Sequence, residues 1–186
     1  MKKVIVLLVM VMSSSLFAQE AESQKWKFGF GVNFIDNSAL DTKQFLKSNN
    51  WNSIDFLSMY SADYNLSENL AIGGTLSINE FSKDNNHNGG MITKDVMYLS
   101  FDANAKYTFD QHVVAVKWFD ASVIGGAGLF MVDGKGNQTA NAGLAFDFWF
   151  TNTLGIRLQT LGKFALNEDL LGNNHLQHSA QFVVRF

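Results

Sequence analysis

Residues 96–109 read Val-Met-Tyr-Leu-Ser-Phe-Asp-Ala-Asn-Ala-Lys-Tyr-Thr-Phe, and the pattern in this stretch decides the fold. From position 97 to position 107 every second side chain is apolar or aromatic, and the positions between them from 100 to 106 are polar or charged. A repeat of two residues is typical of a β-strand, whereas a helix repeats every 3.6 residues. The segment therefore predicts a strand that lies between an apolar and a polar environment.

Other segments of the chain have the same character. The clearest are residues 26–34, which read Trp-Lys-Phe-Gly-Phe-Gly-Val-Asn-Phe, and residues 181–186 at the end of the chain. The other predicted strands lie near 54–64, 70–78, 121–131, 139–150 and 154–166. The chain has no proline, which agrees with paired strands because proline removes a donor from the ladder. We therefore predict an all-β domain of eight antiparallel strands that run up and down as a barrel.

The first 18 residues have the features of a secretory signal peptide. Lys2 and Lys3 precede an apolar run at 4–12, and a small residue, Ala18, ends the segment. Cleavage there predicts an exported barrel domain at 19–186. Without its two lysines the 14 basic residues become 12 against 17 acidic ones, which leaves no basic surface for nucleic acid. The absence of cysteine excludes disulfides and thiolate metal sites.

The direction of the polar faces separates a membrane barrel from a soluble one. A soluble ligand-binding barrel is apolar inside, and a transmembrane barrel is apolar outside. No apolar run after the signal segment is long enough for a transmembrane helix. Charges of both signs occur on several polar faces, and in a narrow interior they neutralise one another. The predicted interior network contains Lys27, Asp102, Lys106, Asp147, Arg157 and Arg185.

Aromatic residues also favour a transmembrane barrel. If both chain termini are periplasmic, six aromatic residues fall near the inner end of the strands, where a membrane barrel carries an aromatic belt. They are Trp26, Tyr64, Tyr107, Trp118, Trp149 and Phe186. The long polar connections at 35–50 and 79–95 then lie outside the cell, and short turns at 65–69 and 151–153 lie in the periplasm. Asp133-Gly134 is typical of a tight hairpin.

The C-terminal half contains a series of short motifs. They are Trp118-Phe119-Asp120, Gly125-Gly126-Ala127-Gly128, Asn141-Ala142-Gly143-Leu144, Phe148-Trp149-Phe150, Leu154-Gly155-Ile156-Arg157-Leu158-Gln159, Leu176-Gln177-His178-Ser179-Ala180 and the final Phe186. Together they resemble the N-terminal barrel of outer-membrane protein A-like proteins, in the version common in Bacteroidota. The resemblance implies an eight-stranded barrel with a polar, largely plugged interior. Many such proteins continue into a peptidoglycan-binding domain, which we expect to be lacking here, and Asp120-Ala121-Ser122 departs from the family because no proline follows the aspartate.

The last strand ends in alternating apolar side chains, namely Phe182, Val184 and Phe186. Outer-membrane barrels commonly end on such a strand with a terminal aromatic residue, which resembles the signal that the barrel-assembly machinery reads. We therefore expect these three residues to act as an assembly signal, and we expect the exported protein to reside in the outer membrane.

Candidate sites for catalysis and metal binding are weak. Residues 84–89, followed by Asp95, match the spacing of a calcium loop, but a hydrophilic external loop explains them as well and no predicted helices flank them. His178 and Ser179 invite comparison with barrel enzymes that deacylate lipid, yet adjacent residues of a strand point to opposite faces. No catalytic residue, cofactor or metal ligand is therefore predicted.

The leading hypothesis is a non-enzymatic structural or interaction protein of the envelope that displays polar extracellular loops. Its expected partners are outer-membrane lipid and lipopolysaccharide, the barrel-assembly machinery during insertion and, as a subunit, a larger envelope complex. The alternatives are a small gated pore, a lipid-modifying barrel enzyme and a soluble periplasmic ligand-binding barrel.

Overall fold

The computed structural model describes residues 24–37, 48, 51–85, 87, 90–109, 116–167 and 171–186. Within these residues the strands, numbered in chain order, are β1 (Trp26–Asp36), β2 (Trp51–Asn52), β3 (Met59–Asn65), β4 (Leu70–Phe81), β5 (Val96–Thr108), β6 (Phe119–Val132), β7 (Lys135–Trp149), β8 (Leu154–Ala165) and β9 (His175–Arg185). No helix in this part of the chain is long and apolar enough to cross a membrane.

Eight of the strands close into an antiparallel barrel. Apart from β2, each strand pairs with the next one along the chain, and β1 pairs with β9 from Lys27 opposite Arg185 to Asp36 opposite Leu176. The two-residue strand β2 pairs only with the far end of β1. We call the rim where β1 begins and β9 ends the terminal end, and the opposite rim the loop end. The prediction of an all-β, eight-stranded, up-and-down barrel is confirmed.

The outer face of the barrel is apolar and the inner face is polar. On β5, Met97, Phe101 and Tyr107 are exposed, whereas Asp102 and Lys106 are buried, so the alternation predicted for this strand is confirmed. Each of the eight barrel strands carries at least one large apolar side chain on the exposed outer face. Eight strands enclose little more than the space that side chains fill, so the inward-facing polar groups must contact one another.

The face of β6 could not be assigned from its sequence, because Gly125 and Gly126 interrupt the alternation without adding a side chain. In the structure Leu129 and Met131 point outward, whereas Ile124 and Phe130 are buried inside the barrel. This strand therefore alternates in direction as β5 does, although these two inward-facing side chains are apolar.

Asp133 and Gly134 form the two-residue connection between β6 and β7, with φ angles of 50° and 74°. Positive φ at both central residues is characteristic of a type I′ turn, whose twist matches that of the paired strands. The predicted hairpin is confirmed.

β3 is shorter than the sequence indicates. The pattern near 54–64 predicts an earlier start, and that prediction is wrong because β3 begins at Met59. Ser58 makes the last backbone hydrogen bonds to both neighbours: its N–H donates to Gly31 at 2.8 Å, and its carbonyl accepts from the N–H of Ile78 at 2.8 Å. The preceding residues do not alternate in exposure, so they leave the barrel wall.

Side-chain amides close the wall between β1 and β4 where β3 is missing. Asn33 donates to the carbonyl oxygens of Ser58 at 2.9 Å and Ile78 at 3.0 Å. Asn79 in turn donates to Asn33 Oδ1 at 2.9 Å, and Asn52 donates to the carbonyl of Ile35 at 3.3 Å. Backbone groups in an apolar environment need hydrogen-bond partners, and these side chains supply them in place of a strand.

Candidate functional site: the polar interior

An ionic cluster fills the interior near the terminal end. Arg157 donates two hydrogen bonds to the carboxylate of Asp147, at 2.7 and 2.9 Å, and a third to Asp63 Oδ2 at 2.7 Å. Lys106 Nζ lies 2.8 and 2.7 Å from the two oxygens of the same Asp63. All four side chains are almost fully buried. Buried charges are tolerated only when they are paired and hydrogen-bonded, and this cluster meets that requirement.

Strand register builds this cluster. Asp147 on β7 and Arg157 on β8 are directly opposite each other, so the guanidinium fork meets the carboxylate along one rung of the ladder. Asp63 comes from β3 and reaches Arg157 across the narrow interior, and Lys106 from β5 meets the same Asp63. The cluster therefore links strands β3, β5, β7 and β8 of the barrel wall through side-chain hydrogen bonds.

A second ion pair lies farther toward the loop end. Lys163 Nζ is 2.8 Å from Asp102 Oδ2, and neither side chain has any solvent exposure. The ammonium also donates to Ser100 Oγ at 2.8 Å and to the hydroxyl of Tyr98 at 3.2 Å, while Asn141 donates to Asp102 Oδ1 at 2.9 Å. The pair is thus embedded in neutral donors and acceptors.

Uncharged polar side chains occupy other parts of the interior. Ser61 donates to Gln181 Oε1 at 2.7 Å. Gln177 donates to Ser77 Oγ at 2.7 Å, and Ser77 shares a 2.6 Å hydrogen bond with Ser100. These uncharged groups therefore hydrogen-bond mostly to one another inside the barrel.

The loop end of the interior is closed by apolar side chains. The rings of Phe81 and Tyr98 are stacked with centroids 5.5 Å apart, and Tyr98 and Phe130 are stacked at 5.6 Å. His175 meets the Phe130 ring edge-on at 5.0 Å, and its Nε2 lies 3.0 Å from the Tyr98 hydroxyl. We call this group the aromatic plug; the buried Ile35, Val96 and Val132 pack with it.

At the terminal end the interior widens into a cavity of about 260 Å³. Lys27 stands at its wall, 3.5 Å from Asp120 Oδ2 and 3.7 Å from Asp147 Oδ2. Arg185 stacks its guanidinium 3.9 Å from the centre of the Trp149 ring, and the indole N–H of Trp149 donates to Asp120 at 2.7 Å. We call this cavity the vestibule.

The residues of the predicted interior network occupy three places. They lie in the ionic cluster and at its edge (Lys27, Lys106, Asp147 and Arg157), in the second ion pair (Asp102) and at the mouth of the vestibule (Arg185). The structure therefore divides the predicted network: Asp102 belongs to the second ion pair, and the other five residues lie in the ionic cluster, at its edge or at the vestibule.

Sequence reasoning missed three charged members of the interior, namely Asp63, Asp120 and Lys163. Lys163 continues the inward-facing spacing of Arg157, so parity along β8 could have identified it. Asp63 lies between the outward-facing positions of β3, and an uncertain strand start obscured that parity. Asp120 lies just before the strand predicted near 121–131, whereas β6 begins at Phe119, so its parity was not considered.

One aromatic assignment is wrong. Trp149 was expected among the belt residues on the membrane side, but its side chain points into the barrel and is 6% exposed. The side chain points inward because the indole N–H donates a hydrogen bond to Asp120 and the ring makes cation–π contacts with Lys27 and Arg185. The other five belt residues are partly or largely exposed at the terminal end.

The calcium-loop pattern falls partly outside the described residues, because Asn86, Asn88 and Gly89 are not among them. Of its described members, His87 is buried, with Nε2 2.6 Å from the carbonyl oxygen of Ser82, and Asp95 accepts the N–H of Lys83 at 3.0 Å. No group of three His, Asp or Glu side chains within the described part of the chain is arranged to hold a metal ion.

His178 and Ser179 lie on opposite faces of β9. Ser179 is buried in the interior and accepts a hydrogen bond from Gln181 at 3.2 Å. His178 lies on the outer face, stacked on Trp51 at 4.7 Å and hydrogen-bonded to Thr160 at 3.0 Å. This pair therefore has no geometry for nucleophilic catalysis.

No family model and no curated protein matches the chain. Solved structures match its fold. Neisserial surface protein A is 13% identical with a TM-score of 0.58, over 90% of this chain and 100% of that one. The N-terminal barrel of Pseudomonas aeruginosa OprF is 12% identical with a TM-score of 0.52, over 88% and 98%. Escherichia coli outer membrane protein W is 12% identical with a TM-score of 0.51, over 90% and 100%.

At these identities the likeness establishes the fold alone. That fold is the one implied by the resemblance to outer-membrane protein A-like barrels. The chain has the closed, eight-stranded antiparallel barrel fold of outer-membrane proteins.

Proposed function

We propose that this chain is a non-enzymatic outer-membrane barrel that serves as a structural or interaction protein of the envelope and does not conduct ions. The observation that carries the proposal is the filled interior beneath an apolar exterior. The aromatic plug closes one end, and the ionic cluster centred on Arg157 closes the path from the other. A barrel built in this way provides a rigid membrane anchor.

The exterior supports insertion into a bilayer. Large apolar side chains are exposed on every barrel strand; Phe101 and Leu129, for example, are each 57% exposed. In a soluble protein it would be costly to leave this surface in water. A soluble ligand-binding barrel requires the apolar faces to point inward, and here they point outward. Exposed aromatic residues at the terminal end, including Trp26 and Tyr107, fit a membrane interface. We place the terminal end in the periplasm and the loop end outside the cell.

A gated pore is the main competing function. Conduction requires a continuous aqueous path, and the ionic cluster and the second ion pair lie between the vestibule and the loop end, which argues against such a path. Opening a path would separate Arg157 from Asp63 or displace the stacked rings of Tyr98 and Phe130. Both changes disrupt buried interactions, so the closed state is the stable one.

Membrane fractionation and single-channel recording test the proposal together. We expect the protein to sediment with membranes, to need detergent for extraction and to give no conductance above that of detergent alone in planar bilayers. Recovery in the soluble fraction would overturn the membrane assignment. Conductance that changes in the variant Asp102→Ala would replace the closed barrel with the gated pore.

The interaction role is tested in native membranes. Lipid contact follows from the exterior, and lipopolysaccharide is the expected lipid partner on the outer side. A mild-detergent pull-down with the tagged chain is expected to recover a stoichiometric envelope protein if the barrel is a subunit of a larger complex. Ester hydrolysis of outer-membrane lipid by the purified protein, lost on a single polar substitution, would instead make it an enzyme.

A further inference from the structure

Two cations face each other at the mouth of the vestibule. Lys27 on β1 and Arg185 on β9 are directly opposite in the strand pair that closes the barrel. Both stand over one aromatic ring: Lys27 Nζ is 5.5 Å and the Arg185 guanidinium 3.9 Å from the centre of Trp149. Like charges in directly opposite positions repel, so this arrangement needs a compensating negative charge.

The described carboxylates compensate this pair only in part. Asp147 lies 3.7 Å from Lys27, but Arg157 already holds both of its oxygens. Asp120 lies 3.5 Å from Lys27 and accepts the shorter 2.7 Å bond from the indole of Trp149. Lys27 therefore has ammonium protons that no close acceptor takes up among the described residues.

Arg185 is less compensated than Lys27. Its Nε donates to the backbone carbonyl of Asn152 at 2.7 Å, and no carboxylate oxygen of the described residues lies within the 4 Å of an ion pair. The two terminal nitrogens of the guanidinium remain available as a planar fork. Such a fork matches the two oxygens of a carboxylate or a phosphate.

The shape of the vestibule limits what can reach these groups. Its inner wall is formed by Asp63, Lys106 and Arg157, which are joined by hydrogen bonds through Asp63 on the side toward the loop end. Its volume of about 260 Å³ is well above the roughly 10–15 Å³ that one water molecule needs, so a small ion with part of its hydration shell fits. The other acidic group at the wall, Glu68, is exposed in the turn before β4.

We propose that the vestibule binds a small soluble oxyanion, a phosphate or a carboxylate group, between Lys27 and Arg185 at the edge of Trp149. Lys27 supplies a point charge, and Arg185, positioned over the indole ring, supplies the fork. The site itself does not depend on the function proposed above. The source of the anion does depend on that function, because the vestibule opens to the periplasm only if the terminal end lies there.

The indole N–H of Trp149 reports directly on this site. The experiment uses the full mature chain in non-ionic maltoside micelles, ¹⁵N-labelled at tryptophan, with the Trp149 signal assigned by Trp149→Phe. Inorganic phosphate is titrated first and acetate second. We expect a saturable shift of the Trp149 signal with each anion. Arg185→Gln or Lys27→Gln is expected to raise the dissociation constant at least about tenfold, as for loss of a charged hydrogen bond.

Two further variants keep the result interpretable. Lys94→Gln removes a cation at the loop end, where Lys94 pairs with Asp133 at 3.0 Å, and it should bind phosphate like the unmodified protein. Arg185→Lys keeps the positive charge, so it serves as the second test if Arg185→Gln does not fold. This variant should bind phosphate more weakly than the unmodified protein, because lysine lacks the planar fork. No saturable shift up to about 100 mM anion, or an unchanged titration in the Arg185 variants, would overturn the proposal.

A lipid headgroup carries the same phosphate chemistry, and a second membrane mimetic separates the two sources. In nanodiscs containing phosphatidylglycerol we expect the same phosphate titration as in micelles. A Trp149 signal that is already shifted there and does not respond to phosphate would assign the site to lipid and refute a soluble anion. None of these outcomes alters membrane sedimentation or conductance, so failure here is distinct from failure of the proposed function.

Discussion

Lys163 Nζ lies 2.8 Å from Asp102 Oδ2, and both side chains are entirely removed from solvent. β5 and β8 contribute one partner each, and these strands are not neighbours in the sheet, so the ion pair crosses the interior. A buried pair is a modest source of stability as a unit, but removing one partner leaves an uncompensated charge. This relationship makes the pair a sensitive probe of how the interior holds together.

Lys163→Met is expected to lower the free energy of unfolding by about 3–5 kcal/mol, because Asp102 is then buried without its partner. The double variant Lys163→Met with Asp102→Leu should cost clearly less than the two single changes added together. Urea unfolding in lipid vesicles, followed by tryptophan fluorescence, measures the difference.

The exposed pair of Lys94 with Asp133 provides the control, since the same lysine-to-methionine change there should cost at most about 1 kcal/mol. Additive losses in the double variant would show that Lys163 and Asp102 do not depend on each other.

Asn33→Ala is expected to destabilise the barrel by about 1–3 kcal/mol, because the carbonyls of Ser58 and Ile78 and the amide of Asn79 lose a buried partner. The loss is local, so the amide of Ile78 should exchange with solvent faster than amides in the paired middle of β4. Hydrogen exchange measured by mass spectrometry checks this. Asn152→Ala, at an exposed turn position, should leave exchange unchanged. Uniform acceleration across the whole barrel would contradict the idea of a local weak point.

The fold could be predicted because two-residue alternation survives in single sequences wherever both faces carry side chains. It is clear on β5, where Phe101 alternates with Asp102, and it fails on β6, where Gly125 and Gly126 present no side chain to classify. The start of β3 could not be predicted either, because the side chain of Asn33, distant in sequence, makes the hydrogen bonds that an earlier part of the strand would make.

The candidate site was harder to predict than the fold. Parity along a strand identifies that Asp147 and Arg157 point inward, but only register places them on one rung. Pairing across the barrel, as between Asp63 and Lys106, depends on the closure of the sheet and has no local signal. Trp149 shows the same limit. The sequence predicts its position near the terminal end, but the hydrogen bond to Asp120, which orients its side chain inward, has no local signal.

Gly134→Ala is expected to destabilise the β6–β7 hairpin by about 1–2 kcal/mol. Its φ of 74° is strained for a residue with a Cβ, whereas the added methyl group itself would meet no atom within 4 Å. Gly136→Ala, two residues farther along and inside β7, is the matched control because its Cβ would lie 3.8 Å from Met131 Cγ in ordinary contact. Equal unfolding free energies for the two variants in urea would exclude backbone strain as the cause.

Deletion of Phe186 is expected to slow assembly, because the last residue joins the two ends of the sheet. Its N–H donates to Trp26 O at 2.9 Å, its carbonyl accepts from Trp26 N–H at 3.2 Å, and its ring lies 5.9 Å from Phe28. Farther along the same β1–β9 pair, the ring centroids of Phe182 and Phe30 lie 6.0 Å apart. Folding into vesicles, followed by the heat-dependent shift in gel migration, measures the rate.

Phe186→Ala separates the ring from the backbone, since it keeps both hydrogen bonds to Trp26 and loses only the contact with Phe28. If the terminal aromatic ring is an assembly signal, this variant should insert as slowly as the deletion in cells, where the assembly machinery acts, but faster than the deletion in pure vesicles. Phe150→Ala, at a 62% exposed turn position, controls for loss of an aromatic ring as such. Insertion of the deletion variant at the normal rate in both settings would show that the closing seam forms without its last residue.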